Sequence, residues 1–335
     1  MTAEWLVVGV LFAGLLVYSL TGGADFGGGV WDLFASGPRA RQQRDTIDRA
    51  IGPIWEANHV WLILVIVLLF VCFPPAFATI STALHLPLTL MLLGIVLRGT
   101  AFVFRHYDLP RWHSSWSRVF ALASVWTPFF LGVSLGAVAS GTMRHDPVTG
   151  HVITDFISDW LAPFPLAVGA FTVSLFALLA AVYLTLEADN HELREDFRRR
   201  ALVASVFTGL TAYGSLALAS LGAPQLYEGL TVGLRAWVFQ GGTFLLAVGL
   251  VATLWWRQYR ASRALVVLLV IAVELGWGTS HLPYVIPPDL TLDNAAAPNN
   301  VLTLFLTILG IGSVLLVPSF FVLYRVFKGR RVFRI

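Results

Sequence analysis

Nine stretches of mainly apolar residues run through the chain, at roughly 5–34, 50–73, 83–104, 117–140, 161–186, 201–221, 234–256, 264–284 and 300–325. A helix needs about 20 such residues to cross the hydrocarbon core of a bilayer. Composition agrees: of 335 residues, 57% are hydrophobic and only 12% charged, with a mean hydropathy of +0.76. A soluble domain is nearer a quarter charged, so this chain cannot cover itself with polar surface. The predicted fold class is therefore an all-α integral membrane protein with nine transmembrane helices. The same composition excludes disorder, a collagen-like repeat and a disulfide scaffold. Cys72 is the single cysteine, so no internal disulfide or Cys-based metal site can form. The first apolar stretch lacks the basic leader and small-residue cleavage site of a signal peptide and is read as a retained helix.

Charge sets the topology. Nineteen of the 22 basic residues fall in alternate loops and the tail: around Arg39–Arg49, Arg105–Arg118, Arg194–Arg200, Arg257–Arg263 and Arg325–Arg334. Only Arg144 and Arg235 lie on the other side, and Arg98 falls inside a span. The positive-inside rule then puts the N-terminus outside and the C-terminus in the cytoplasm. It also removes nucleic acid as a partner, because the basic loops are ordinary cytoplasmic ones.

The chain reads as a single membrane domain. Helices 1–4 (residues 1–140) and helices 5–8 (161–284) have matching topology, which predicts two four-helix bundles with a peripheral ninth helix at 300–327. The outer loop 285–299, rich in Pro, Asp and Asn, is predicted to be an ordered cap.

Ionisable groups inside a span are costly and usually face a bundle interior. Asp25 on helix 1, Glu56 and His59 on helix 2, and Arg98 on helix 3 are expected at a shared depth toward the cytoplasm. Asn58 lies beside them. Glu274 falls near the bilayer centre, and His85 and His281 toward the outside. The run TGGADFGGGVWDL (21–33) carries five glycines, which would let a second helix approach closely. Glu56 and His59, three residues apart, share one helical face. A di-iron site would need a second Glu-x-x-His unit and further carboxylates, and no second unit occurs. Each histidine reads first as a hydrogen-bonded interior group and only second as a haem ligand. Most of the 12 tryptophans sit near predicted interfaces, but Trp61 lies deeper.

TGGADFGGGVWDLFA and RDTIDRAIGPIWEANHVWLI together resemble subunit II of cytochrome bd-type quinol oxidases. Arg98 at the end of helix 3 and LPYVIPPDLTLDNAAAP (282–298) match as well. The DLTLDNAAAP form looks closer to the cyanide-insensitive branch. The resemblance implies a bacterial inner-membrane complex that oxidises quinol and reduces oxygen to water, drawing protons from the cytoplasm and generating a proton-motive force. It implies that haem b and haem d belong to the partner, subunit I, with no haem bound by this chain alone, and it leaves room for a structural quinone. A small single-helix accessory subunit is a further implied partner. Carried to matching positions, Asp25, Glu56 and Arg98 are proton-path candidates and Trp61 an oxygen-path candidate. No catalytic residue or metal ligand is expected.

Two departures qualify this. Gly22 stands where many members have Asp, which removes one carboxylate from helix 1. Glu56 stands where many have Asp, which keeps one. His59 replaces a Gln found in some members, so a family-wide ligand role does not follow. Two other readings stay open: a proton-coupled secondary transporter, which should show matched helix breaks in both halves, and a purely structural assembly subunit.

Overall fold

The computed structural model describes residues 2–52, 55–107, 113–146 and 149–332. Among them, nine helices are long and apolar enough to cross a membrane. The first is α1 (Ala3–Leu33), followed by a short polar helix α2 (Ala40–Ile51), then α3 (Trp55–Cys72), α4 (Pro74–Ala83), α5 (His85–Tyr107) and α6 (His113–Ser140). A hairpin of β1 (Arg144–His145) and β2 (Val152–Ile153) leads to α7 (Pro163–Glu187), α8 (His191–Gly222), α9 (Pro224–Thr231), α10 (Gly233–Trp255) and α11 (Tyr259–His281). A second hairpin, β3 (Tyr284–Ile286) and β4 (Leu290–Thr291), precedes the single turn α12 (Leu292–Ala295) and the last span, α13 (Asn299–Val332).

The element boundaries follow local chemistry. Proline opens α4, α7 and α9, where its missing N–H has no helical partner to lose. The Asn190 side chain caps α8 by accepting from Leu193 N at 2.8 Å. The second and sixth spans are each interrupted in the same way. α3 breaks at Phe73–Pro74 into α4, and α8 breaks at Ala223–Pro224 into α9. Neither short helix is predicted from the sequence, because each falls between apolar stretches and is too short to register as a span.

α2 was read only as a basic loop. It lies with Gln43, Thr46, Ile47 and Ile51 buried, Asp48 half-buried, and Arg41, Arg44, Asp45 and Arg49 exposed. Arg39 pairs with Asp196 at 2.7 Å, Gln43 donates to Asp196 at 3.0 Å, and Arg200 donates to Gln43 at 2.6 Å. Arginines read as topology markers therefore also tie α2 to the start of α8.

Two buried clusters mark the two ends of α1. At its start, Val7 and Val8 join Cys72, Phe73 and the hairpin residues Ile286 and Leu290. At its end, Val30 and Trp31 join Ile47 and Ile51 of α2, Leu178 of α7 and Phe197 of α8. The Arg-rich loops lie at this second end. Loop 285–299 is ordered as expected: Thr291 and Asn294 form a capping box, and Ala297 N donates to Cys72 O at 2.8 Å. Arg144 clamps Asp289 at 2.8 and 3.0 Å, joining the two hairpins.

Candidate functional site

The glycine-rich end of α1 is a packing surface. A Cβ at Gly27 would run into the Phe176 backbone of α7, and one at Gly29 into Ser124 of α6. Stripping those side chains lets α7 and α6 close on α1 from different sides, as small residues do in membrane interiors.

In the same stretch of α1 lies Asp25, 4% exposed, with Arg98 of α5, 2% exposed. Arg98 NH1 donates to Asp25 Oδ2 at 3.4 Å, and NH2 lies 3.3 Å from Oδ1. NH2 also donates to the Asp25 carbonyl at 3.2 Å, and Nε donates to Ser124 Oγ at 3.0 Å. The guanidinium sits 4.9 Å from the ring centres of both Phe26 and Phe120. A buried ion pair is tolerable only when its remaining donors are met, and here the carbonyl and hydroxyl meet them.

A second pair lies two turns nearer the Arg-rich end. Arg105 NH1 donates to Asp32 Oδ2 at 3.3 Å, both groups being buried, and Arg105 also pairs with Asp48 of α2. Arg44 reaches Asp32 at 3.8 Å. The Arg105 guanidinium lies 4.5 Å from the Phe120 ring centre, so both arginines contact one phenyl group. Arg105 was assigned to a loop by sequence. It falls inside α5, because the helix runs past the last apolar residue to bury this charge against Asp32 and Asp48.

The other expected residues separate. Glu56 is exposed on α3, and no hydrogen bond or ion pair joins it to Arg98 among the described residues. The expected cluster of one arginine with two carboxylates is thus a cluster with one. Asn58 is buried and donates to Thr21 O at 3.4 Å. His59 packs its ring against Tyr18, Phe26 and Trp55. Trp61 stacks on Phe320 of α13 with ring centres 5.2 Å apart. Glu274 lies on α11 within hydrogen-bonding reach of Ser19 of α1. His85 is exposed and donates to Thr82 O at 3.0 Å, while His281 is buried and donates from Nδ1 to Trp277 O at 2.8 Å. Among the described residues, no group of three or more His, Cys, Asp or Glu could hold a metal ion.

The sequence profile described as cytochrome bd terminal oxidase subunit II matches residues 3–327. The chain belongs to this family. It is 30% identical over 216 residues to the cytochrome bd ubiquinol oxidase subunit 2 of Bacillus subtilis (strain 168), covering 63% of this chain and 61% of the relative. It is 29% identical over 206 residues to the cytochrome bd-I ubiquinol oxidase subunit 2 of Escherichia coli (strain K12), covering 61% of this chain and 53% of the relative. The matched stretches thus span about three fifths and half of those relatives. The fold is similar to a chain in the structure of bd oxidase from Geobacillus thermodenitrificans, with a TM-score of 0.79, 22% identity, and 98% and 99% of the two chains covered.

As a subunit II, then, this multi-pass membrane protein buries two Asp–Arg pairs where sequence reasoning found one. Asp32, Arg105, Asp48, Ser124 and Phe120 were all missed. Their signal was present: Asp25 and Asp32 are seven residues apart, and so are Arg98 and Arg105. Seven residues make about two helical turns, so each pair occupies the same face as the other.

Proposed function

We propose that this chain is the haem-free subunit II of a bd-type terminal quinol oxidase. It supports a haem-bearing subunit I that oxidises quinol and reduces oxygen to water. Haem b and haem d sit on subunit I, and a small single-helix subunit completes the complex. The Arg-rich end faces the cytoplasm and the hairpin end faces outward, in the bacterial inner membrane. Two four-helix bundles, at 1–140 and 161–284, with the ninth helix peripheral, are the arrangement we assign.

The observation that carries the functional reading is the buried Asp25–Arg98 pair on the face of α1. Oxygen reduction consumes protons, and apolar helices conduct them only through titratable groups and water. Arg98 holds a permanent charge beside Asp25, so a carboxylate survives within the bundle where it can exchange protons. Glu56 supports the partnership: an exposed carboxylate on a membrane helix needs a covering protein, so the α3 face is assigned to subunit I. There Glu56 becomes a second proton carrier at the interface rather than a member of the Arg98 cluster.

A purely structural role is the second reading, favoured by the completeness of the hydrogen bonds around Arg98. The two separate on Asp25→Asn and Glu56→Gln in the co-expressed complex. Proton transfer predicts full haem bands with oxygen consumption lowered by at least about tenfold. Wild-type turnover with full haem leaves the pair structural.

A further inference from the structure

Tyr18, Asp25 and Asp32 stand at intervals of seven on α1, so they lie along one face, spanning about 21 Å of helix at 1.5 Å per residue. Each meets a side chain from a neighbouring helix. Asp32 meets Arg105 and Asp25 meets Arg98, while Tyr18 meets His59 with ring centres 6.0 Å apart.

The third meeting differs from the other two. Tyr18 is 1% exposed, and its Oη has no hydrogen-bond partner among the described residues. The Nδ1 of His59 is likewise enclosed and unpartnered. Two neighbouring polar atoms are thus both unsatisfied, though leaving even one such atom dry costs about 1–3 kcal/mol. They do not bond each other directly. Both lie within electrostatic range of Arg98, and Tyr18 within range of Asp25. A buried water needs at least two polar partners, and the enclosed phenol hydroxyl and imidazole nitrogen on these two adjacent rings are such groups.

His59 also has a second side. Its Nδ1 is enclosed, while the residue as a whole is only half-buried on α3. Glu56 is exposed three residues away on the same helix.

We propose that Tyr18 and His59 hold a bridging water, and that His59 carries protons from the Asp25–Arg98 end of the stripe to the α3 surface. This rests on the proton-transfer reading above. In the step, the water gives a proton to Nδ1 and is reprotonated from the Asp25 side. The ring then releases its Nε2 proton at the α3 surface, and the exchange of tautomers resets it. No proton is gained or lost by the chain over the cycle.

The test uses the co-expressed complex. His59→Gln retains hydrogen bonding but cannot relay, and should assemble with full haem bands and consume oxygen at least about tenfold more slowly. His59→Ala should be slow in the same way and recover on addition of imidazole, which His59→Gln should not. A purely packing role gives no such recovery. Tyr18→Phe keeps the ring and should remove a water O–H band, sensitive to oxygen-18 water, from the infrared difference spectrum of the wild-type complex. Wild-type turnover of haem-replete His59→Gln, a slow His59→Ala that ignores imidazole, or the absence of that water band from the wild type would each overturn the proposal. Slow Asp25→Asn beside normal His59→Gln overturns this inference alone. Normal Asp25→Asn removes the reading beneath it.

Discussion

Arg105 and Asp32 are 73 residues apart and meet at 3.3 Å, the same separation that joins Arg98 to Asp25. Two ion pairs therefore run in parallel between α1 and α5, about 10.5 Å apart along the helix. Phe120 of α6 contacts both guanidinium groups. Cations over an aromatic face gain about 0.5–2 kcal/mol, more where water is excluded. α6 is thereby tied to both pairs without contributing a charge.

Removing one member of a buried pair leaves the other uncompensated, at a cost of about 3–5 kcal/mol. Asp32→Asn should accordingly lower the thermal midpoint of the detergent-solubilised complex. The double variant Asp32→Asn/Arg105→Gln should recover part of it. An unchanged midpoint in the single variant would show that Asp48 satisfies Arg105 without Asp32.

Gly27→Ala should destabilise the α1–α7 contact, since the added methyl meets the Phe176 backbone, which cannot rotate away. Overpacking of this kind costs about 1–3 kcal/mol. Gly9 on the same helix has open space around its Cβ position, so Gly9→Ala should stay within about 0.5 kcal/mol. Thermal midpoints of the two variants side by side decide it.

Acid should loosen the outer cap. The Arg144 hydrogen bonds, and then the His145 N–H, hold the Asp289 carboxyl below the usual carboxylate range. A depressed carboxylate contributes stability above its unfolded value, near about pH 3.9, and loses it as pH falls through the lower folded value. Amide exchange in 284–296, corrected for intrinsic rate, should therefore quicken below about pH 4. In Asp289→Asn it should be fast at neutral pH with no acid step.

Cysteines introduced as Gly150→Cys and Arg330→Cys report the orientation. A membrane-impermeant thiol reagent applied to the outer face should reach the first and not the second. The reverse pattern would invert the proposed topology.

Trp61→Ala opens the Trp61–Phe320 stack between α3 and α13. Should an oxygen route start there, the oxygen dependence of turnover will shift while quinol dependence stays constant. Equal curves for variant and wild type make the stack a packing contact.

The nine spans and the one-sided arginines were readable in the sequence because both depend on long runs of one kind of residue. The Asp25–Arg98 pairing was readable too, since charges at equal depth seek each other. Glu56 shows the limit of that reasoning. Position along the chain predicts height across the bilayer but not direction around the helix, and Glu56 is exposed, with no bond to Arg98 among the described residues. α2 escaped notice because 12 residues with five charged side chains resemble a loop, and only the burial of Ile47 and Ile51 makes it a helix with a place. Tyr18 could not be singled out: a tyrosine in an apolar run resembles packing until His59 is set beside it.

The distance in sequence between the paired charges has a consequence for biogenesis. At about 5–20 residues per second, Arg98 leaves the ribosome roughly 4–15 s after Asp25. During that interval Asp25 lacks its arginine, and Asp32 has only Arg44 of the two arginines it meets in the folded chain. Release of α1 into lipid before α5 arrives would strand Asp25 and Asp32 in hydrocarbon. The insertion machinery, or a chaperone beside it, must therefore retain the first helix until the third has been made.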